Sequence, residues 1–281
     1  MGDIIKLSSP ATKEGTTRPP YWEIPILFED GDLLVIDKPS NLLAVQNYSL
    51  VEELNIQGLF NRDIKREATW VAKRENLKEL NCLYPLDNDT SGVLIFTKTP
   101  KAQEFLKNVL GSEREFRTYH ALVHSAPLKD EFTIHAGLLP HPRRPELMKI
   151  DVKRGKKSIT RFKLIESFSG YSLLECYPVT ERYLQIRAHL RYIKCPAVCD
   201  LLYHGRPLFL SSLKPKYRPN TKREERPLMG RAALHCSRVE IPHPGSAPAI
   251  VVESPLPKDF RVSIKMLKQY GTRRWGRQLS P

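Results

Sequence analysis

The stretch LYPLDNDTSGVLIFT, residues 83–97, decides the fold that we expect for this chain. Its apolar part, residues 93–96, is rich in β-branched and aromatic side chains and predicts a buried strand. The polar residues 87–92 before it predict a tight turn, because their side chains bond to nearby backbone and Gly92 tolerates positive φ. Asp87 would then stand on a loop anchored to a rigid strand, where catalytic groups are common. An ordinary turn with an exposed aspartate would have the same pattern.

Two stretches on either side predict the structure around this strand. Residues 26–39, ILFEDGDLLVIDKP, have the pattern of a β-hairpin with a polar turn. Thr99 is a good N-cap with Pro100 in the first helical turn. Apolar residues then recur at helical spacing, at Ala102, Phe105, Leu106, Val109 and Leu110. We expect this helix to pack across the strand behind Asp87.

Three later stretches predict further strands. Residues 115–124, EFRTYHALVH, alternate in polarity as a strand does. Residues 160–165 and 171–177 also alternate, and the turn at Ser169 and Gly170 predicts that they pair antiparallel.

The charge of the chain indicates a polyanionic partner. The 281 residues carry a formal net charge of +14, and their 41% hydrophobic content is that of a globular protein. Such a balance favours nucleic acid or an acidic membrane surface as the partner. The length allows one large domain or two small ones.

The sequence favours a cytoplasmic protein without a metal site. No run of 18 apolar residues is present, and the first fifteen residues have no apolar segment typical of a signal peptide. The five cysteines are an odd number at irregular spacings, which predicts reduced thiols. Cys195 and Cys199 have no paired Cys or His motif, so we interpret them as structural thiols.

Residues 86–98, LDNDTSGVLIFTK, resemble the signature loop of the RluA-type pseudouridine synthases, L-D-x-x-T-S-G followed by a hydrophobic run. In that family the loop carries the single catalytic aspartate, which falls here on Asp87. The sequence departs from the family at Tyr84 and Pro85, where His and Arg are usual. In the family that arginine fills the gap left in the RNA when the target nucleotide flips out. Proline has no charge or N–H donor with which to fill this gap by hydrogen bonding. We therefore expect a preference for uridines that are already unstacked.

Residues 178–205 begin PVTERYLQIRAHL and resemble the second family signature, P-x-T-G-R-T-H-Q-I-R-x-H-L. By this resemblance the active-site arginine of the family falls on Arg187. Arg187 and Arg191 are four apart and would share one helical face. The residues that match are Thr180, Arg182, Gln185, Ile186, Arg187, His189 and Leu190. The usual Gly, Thr and His are replaced by Glu181, Tyr183 and Leu184.

Arg117 to Tyr119 resemble the K/R-x-Y segment of the family, in which the tyrosine stacks on the target base. An aromatic ring with a hydroxyl suits that task, although a buried strand tyrosine is the alternative. Further similarity at residues 231–244 and 253–260 extends the resemblance to residues 26–260.

The resemblance implies an α+β fold, with a mostly antiparallel mixed β-sheet, flanking helices and a basic cleft. It implies an RNA pseudouridine synthase for structured RNA, ribosomal or transfer, that breaks the N1–C1′ bond of uridine and rejoins it through C5. That reaction needs no cofactor and no metal. The expected catalytic residues are Asp87, Tyr119 and Arg187. We expect RNA contacts from Arg182, Arg191, Thr90 and Ser91.

We expect a monomeric RNA-binding enzyme with no membrane or DNA partner. Residues 1–20 form an N-terminal arm, and residues 21–265 form the catalytic domain with a basic loop insertion at 206–230. Residues 266–281 form a basic C-terminal tail.

Two alternatives stay open from the sequence. Tyr84, Pro85 and Leu184 favour an RNA-binding protein of the same fold that has lost catalysis. Asp87 and Asp89 would face the same side of an extended segment, and they are therefore compatible with the carboxylate pair of a glycoside hydrolase.

Overall fold

The computed structural model describes residues 3–8, 21–45, 55–110, 112–218, 224–245 and 248–271. The chain divides into two compact units. The first unit comprises Met1–Ser112 and Arg238–Ser254, and the second comprises Glu113–Ser237 and Pro255–Pro281.

The first unit is built on an antiparallel sheet. Its strands are, in order across the sheet, β1 (Ile4–Ser8), β2 (Tyr21–Glu29), β3 (Leu33–Lys38) and β5 (Ser91–Thr97). The short β4 (Asn81–Leu83) also pairs with β5. Its described helices are α1 (Ile56–Lys65) and α2 (Pro100–Leu110). The strand β12 (Leu234–Ile241) has its second half in this unit, where it pairs with β13 (Ile250–Glu253).

The strands around the signature stretch confirm the predicted pattern. Every residue of β5 is buried, as the apolar run predicts. The predicted hairpin is formed by β2 and β3, whose register places Ile26 opposite Ile36. The Asp30 side chain fixes the turn between them by accepting hydrogen bonds from the backbone of Asp32 and Leu33, both at 2.8 Å. The hairpin beside the signature strand is therefore specified by its local sequence.

The predicted helix after the signature strand is α2. Its N-cap is Thr99, whose hydroxyl accepts a hydrogen bond from the Ala102 backbone at 3.2 Å. Ala102, Leu106 and Leu110 are its buried residues, so the predicted apolar stripe faces the core. The helix packs against β4 and β5.

The segment before the signature stretch contains a helix that the sequence pattern did not define. Asn55 caps α1 by accepting a hydrogen bond from the Gly58 backbone at 2.8 Å. Phe60 anchors α1 in the core, where its ring lies 5.2 Å from that of Phe96 on β5. The helix lacked a clear signal because its cap follows residues of mixed polarity.

The second unit contains a second antiparallel sheet and a separate hairpin. The sheet strands are, in order, β6 (Arg117–His124), β11 (Tyr171–Pro178), β10 (Ile159–Phe168) and β7 (Glu131–His135). The hairpin pairs β8 (Leu138–His141) with β9 (Arg144–Ile150). The predicted pairing of β10 with β11 is confirmed, and Gly170 turns between them at a φ of 78°.

The helices of the second unit cover its apolar core. They are α3 (Gln185–Tyr192), a 3-10 turn (Leu201–Tyr203), α4 (Leu210–Leu213) and α5 (Lys258–Tyr270). Phe260 and Leu267 of α5 pack in one core cluster with Leu122 of β6. With antiparallel ladders in both units and helices packed beside them, the α+β class and the mostly antiparallel sheet are confirmed.

The domain boundaries from the sequence stay predictions. Of the expected N-terminal arm, Ile4–Ser8 form β1 of the sheet, while residues 9–20 lie outside the described residues. The expected insertion contains α4, and its residues Leu208 and Met229 are buried in the core of the second unit. Residues 219–223 lie outside the described residues. The expected tail begins within α5, and residues 272–281 lie outside the described residues.

Candidate active site

Asp87 lies on a tight turn between β4 and β5, as the sequence predicts. The Asp87 carbonyl accepts a hydrogen bond from the Thr90 backbone at 3.1 Å, which closes the turn. Gly92 then enters β5 with a φ of 112°, a conformation that favours glycine. The side chain of Asp87 is half-buried, whereas Pro85 is exposed. The carboxylate is thus carried by a short loop whose end is fixed in a buried strand.

A buried lysine that the sequence analysis did not single out holds this loop. Lys38, at the end of β3, is fully buried. Its ammonium donates hydrogen bonds to the Pro39 carbonyl at 2.9 Å and to the Asn88 carbonyl at 3.1 Å. The Asn41 backbone donates to the same Asn88 carbonyl at 2.9 Å. Because a buried ammonium is costly unless it is hydrogen-bonded, these contacts fix the residue next to Asp87. The only sequence signal was a Lys-Pro pair ending a strand.

Tyr119 lies on β6 beside a buried arginine. Arg117 donates a hydrogen bond to the Tyr119 hydroxyl at 3.4 Å. Burial raises the pKa of Tyr119 well above its ordinary value, so this phenol is neutral at physiological pH. Tyr119 as a whole is 5% exposed. Its stacking on a target base stays a prediction.

Glu181 supplies the counter-charge for Arg117. Its carboxylate lies 3.7 Å from the Arg117 guanidinium. Burial is the largest single influence and lowers the pKa of Arg117, but Glu181, Tyr119 and Cys236 together outweigh it and raise that pKa. Glu181 stands where the related motif has glycine, so this chain places a carboxylate against the arginine beside Tyr119. The substitution was visible in the sequence, but its partner was not.

Arg187 lies inside the second unit and is paired with Asp200. Two hydrogen bonds join them, from Nε to Oδ2 at 2.8 Å and from Nη2 to Oδ1 at 2.6 Å. Both side chains are buried. The Tyr203 backbone also donates to Oδ1 of Asp200 at 3.3 Å. The guanidinium is therefore fixed in a bidentate geometry, unlike a surface arginine. Asp200 lies ten residues after the quoted signature, within residues 178–205, and no motif in the sequence points to it.

Three other residues of that signature fix α3, which carries Arg187. The amide of Gln185 donates to the Ile159 carbonyl and the Thr160 hydroxyl, both at 3.0 Å. The Thr180 hydroxyl donates to the Gln185 side-chain oxygen at 2.9 Å. His189 is fully buried between the Thr160 hydroxyl at 2.8 Å and the Ala136 carbonyl at 3.0 Å. These matched residues have structural roles in the fold.

The residues expected to contact RNA differ in exposure. Arg182 and Arg191 are exposed, whereas Thr90 and Ser91 are 1% and 4% exposed. Arg191 is one turn after the buried Arg187, so the predicted shared face holds one buried and one exposed arginine. The RNA contacts stay predictions, and burial leaves Thr90 and Ser91 little surface for them.

Among the described residues, no group of three or more His, Cys, Asp or Glu side chains is placed to hold a metal ion. The described helices also include none long and apolar enough to cross a membrane.

Comparison with known proteins defines the family. The family described as RNA pseudouridylate synthase matches residues 32–192. The chain therefore belongs to the RNA pseudouridylate synthase family, a class of RNA-modifying isomerases, and the RluA-type resemblance is confirmed. This membership gives no support to the glycoside hydrolase alternative.

Its relatives include several bacterial enzymes. Ribosomal large subunit pseudouridine synthase D of Xanthomonas campestris pv. campestris is 30% identical over 274 residues, which cover 97% of this chain and 78% of that protein. The protein of the same name from Xylella fastidiosa is 32% identical over 247 residues, 87% of this chain and 69% of that one. Uncharacterized RNA pseudouridine synthase YlyB of Bacillus subtilis is 27% identical over 270 residues, 96% of this chain and 81% of that one.

Two solved structures share the fold. Human RNA Pseudouridylate Synthase Domain Containing 4 has a TM-score of 0.64 and 17% sequence identity, covering 86% of this chain and 92% of that one. Human RNA Pseudouridylate Synthase Domain Containing 1 has a TM-score of 0.56 and 21% identity, covering 88% of this chain and 87% of that one. The expected pseudouridine synthase fold is confirmed.

Proposed function

We propose that this chain converts specific uridines of ribosomal RNA to pseudouridine in the cytoplasm, with Asp87 as the catalytic carboxylate. The observation that carries the proposal is the anchored Asp87 turn within the family-matched region. The relatives named for the ribosomal large subunit favour ribosomal over transfer RNA as the substrate. The high positive charge suits a polyanionic substrate.

The proposed reaction conserves all atoms of the nucleotide. The N1–C1′ bond breaks, the uracil turns, and a C5–C1′ bond forms. The C5 proton then leaves and N1 gains a proton. Asp87 acts on the ribose during this exchange, as nucleophile or as base. Because there is no net oxidation or reduction, the proposed exchange needs no oxidant or reductant.

Tyr119 and Arg187 have supporting roles in the proposal. The ring of Tyr119 holds the detached uracil, and its raised pKa keeps the hydroxyl neutral. Arg187 is proposed as the active-site arginine, since a guanidinium stays charged at any working pH. The bidentate contact with Asp200 fixes the arginine in advance. Arg182 and Arg191 are the exposed side chains proposed to contact RNA.

Pro85 bears on which uridines react. It is exposed on the loop before Asp87 and offers neither charge nor reach. We propose that the enzyme favours uridines in open loops, where removing the base from its stack costs least.

Two aspartates of the same turn provide the test. Asp87→Asn should abolish pseudouridine formation in ribosomal RNA while changing RNA affinity by no more than about threefold, because one carboxylate adds no attraction for phosphates. Asp89→Asn is the matched control and should retain activity. Substantial activity in Asp87→Asn would contradict the proposal. Mapping pseudouridines in total RNA with and without the gene identifies the substrate, and a change in transfer RNA alone would overturn the ribosomal assignment.

A further inference from the structure

The second unit contains a small pocket that is lined by apolar side chains and three cationic ones. It lies against the β8–β9 hairpin, α3 and the 3-10 turn, and its volume is about 260 Å³. Arg144 and Lys149 of β9 and Arg191 of α3 line it, with His141 and His204, and none of the described carboxylates does. Several positive charges in one concave surface favour the binding of an anionic ligand.

The charges of this pocket are largely unneutralised. The side chains of Lys149 and Arg191 have no ion-pair or hydrogen-bond partner in the described part of the chain. Arg144 pairs with Glu146 at 2.9 Å, but both side chains are about half exposed, at 48% and 50%. A pair so exposed contributes little and leaves the arginine available. The pocket therefore offers guanidinium and ammonium donors of the kind that bind phosphate.

An exposed aromatic ring adjoins these cations. Tyr192 lines the pocket and is 54% exposed, directly after Arg191 in α3. An exposed tyrosine next to cations is suited to stack an unpaired base while the cations hold its phosphate.

The wall of the pocket is fixed before any ligand binds. Tyr203 is buried, and its hydroxyl donates to the Met148 carbonyl at 3.0 Å and accepts from the Met148 backbone at 3.1 Å. These bonds tie the 3-10 turn to β9. Leu147 of β9 and Tyr203 belong to one apolar cluster. A preformed wall lowers the cost of ordering on binding.

We propose that this pocket binds one unpaired nucleotide of the RNA, with its phosphate at Lys149 and Arg191 and its base on Tyr192. The volume suits a single nucleotide rather than a duplex. The proposal rests on the proposed function for the identity of the ligand as RNA. It adds a subsite for a nucleotide other than the one that Asp87 acts on.

Binding to the full-length Asp87→Asn protein tests the subsite without turnover. The probe is a fluorescent single-stranded oligoribonucleotide of five uridines, measured by anisotropy over a range of salt concentrations. Lys149→Ala with Arg191→Ala should weaken binding and lower the slope of log affinity against log salt by about 0.7 for each lost phosphate contact. Arg261→Ala with Lys265→Ala, both exposed on α5, is the control with equal loss of charge. Equal effects of the two double variants would overturn the proposal.

The aromatic part has its own variants. Tyr192→Ala should weaken binding at least about fivefold, while Tyr192→Phe should bind like the parent, because stacking needs the ring and not the hydroxyl. An oligomer without bases should bind the parent and Tyr192→Ala with equal affinity, because it has no base to stack on the ring. A Tyr192→Ala protein with parental affinity would contradict the base contact.

A free nucleotide has the same chemistry and is the competing ligand. If uridine 5′-monophosphate binds in a Tyr192-dependent way and the oligomer does not, the RNA assignment is wrong. Activity in Asp87→Asn would refute the proposed catalytic role but would leave these binding results unchanged, so the two proposals can fail separately.

Discussion

The carboxylate of Asp200 accepts two hydrogen bonds from the guanidinium of Arg187, at 2.8 and 2.6 Å, with both side chains buried. The family signature indicated the arginine alone, yet its geometry in the second unit depends on this aspartate. Removing one partner of a buried pair leaves the other charge unpaired. Asp200 is therefore a positioning residue for Arg187.

Asp200→Asn should test this dependence. We expect the free energy of unfolding to fall by about 3 kcal/mol, because the buried guanidinium of Arg187 would lose the carboxylate that accepts two of its hydrogen bonds. We expect kcat for pseudouridine formation to fall at least about tenfold. Urea denaturation and single-turnover kinetics measure the two effects. Asp259→Asn is the control, because Asp259 pairs with Arg231 at 2.8 Å in the same unit. The control should lose stability and keep its rate, and an unchanged rate in Asp200→Asn would show that the pair is only structural.

Lys38→Met should loosen the Asp87 turn. Methionine has a similar length but cannot donate to the carbonyls of Pro39 and Asn88. We expect kcat to fall at least about tenfold with KM nearly unchanged, and the Thr90 amide to exchange faster with solvent. Lys98→Met removes an ammonium that donates to Glu29 at 2.7 Å in the same unit, and it should leave Thr90 exchange unaltered. Slow Thr90 exchange in Lys38→Met would count against the anchoring role.

Glu181 and Arg117 should be energetically coupled. Glu181→Gln removes the carboxylate 3.7 Å from the buried guanidinium. In a double-mutant cycle with Arg117→Gln, we expect a coupling free energy of about 1–3 kcal/mol, measured by urea denaturation. The single variants should also lower kcat, because Arg117 bonds to Tyr119. Additive effects on stability would mean that the two charges do not interact.

His189 should make stability depend on pH. Burial lowers its pKa below the ordinary value of 6.5, so the folded protein binds this proton more weakly than the unfolded chain. The contribution of neutral His189 to the free energy of unfolding is complete above about pH 6.5, the pKa in the unfolded chain. It is lost as the pH falls below that value toward the pKa in the folded protein. His189→Gln should be less stable than the parent at pH 7.5, and the difference should narrow by pH 5. Urea denaturation across this range measures it, and a constant difference would contradict the burial effect.

The sequence predicted the parts of the structure that are set locally. Residues 26–39 formed a hairpin because turn residues separate two apolar runs, and Thr99 capped a helix through its own hydroxyl. The motif-bearing turn at Asp87 was also predictable, since Gly92 and its polar neighbours require it.

Long-range partners could not be predicted from these patterns. Lys38 donates a hydrogen bond to the carbonyl of Asn88, fifty positions later in the chain. Glu181 forms an ion pair with Arg117, which is also distant in sequence. A charged side chain looks like solvated surface in a sequence unless its partner is known. Strand β1 was missed for a similar reason, because five residues among polar neighbours give a weak signal.

Strand β1 has a practical consequence for shortening the chain. Ile5 and Leu7 are buried, and β1 covers one side of β2 along five residue pairs. Deleting the first eight residues would leave β2, YWEIPILFE, with unpaired backbone groups and an apolar edge. Such edges recruit strands from other molecules. Expression of a trimmed chain would therefore yield aggregates, whereas trimming the opposite terminus after Gly271 leaves every described strand intact.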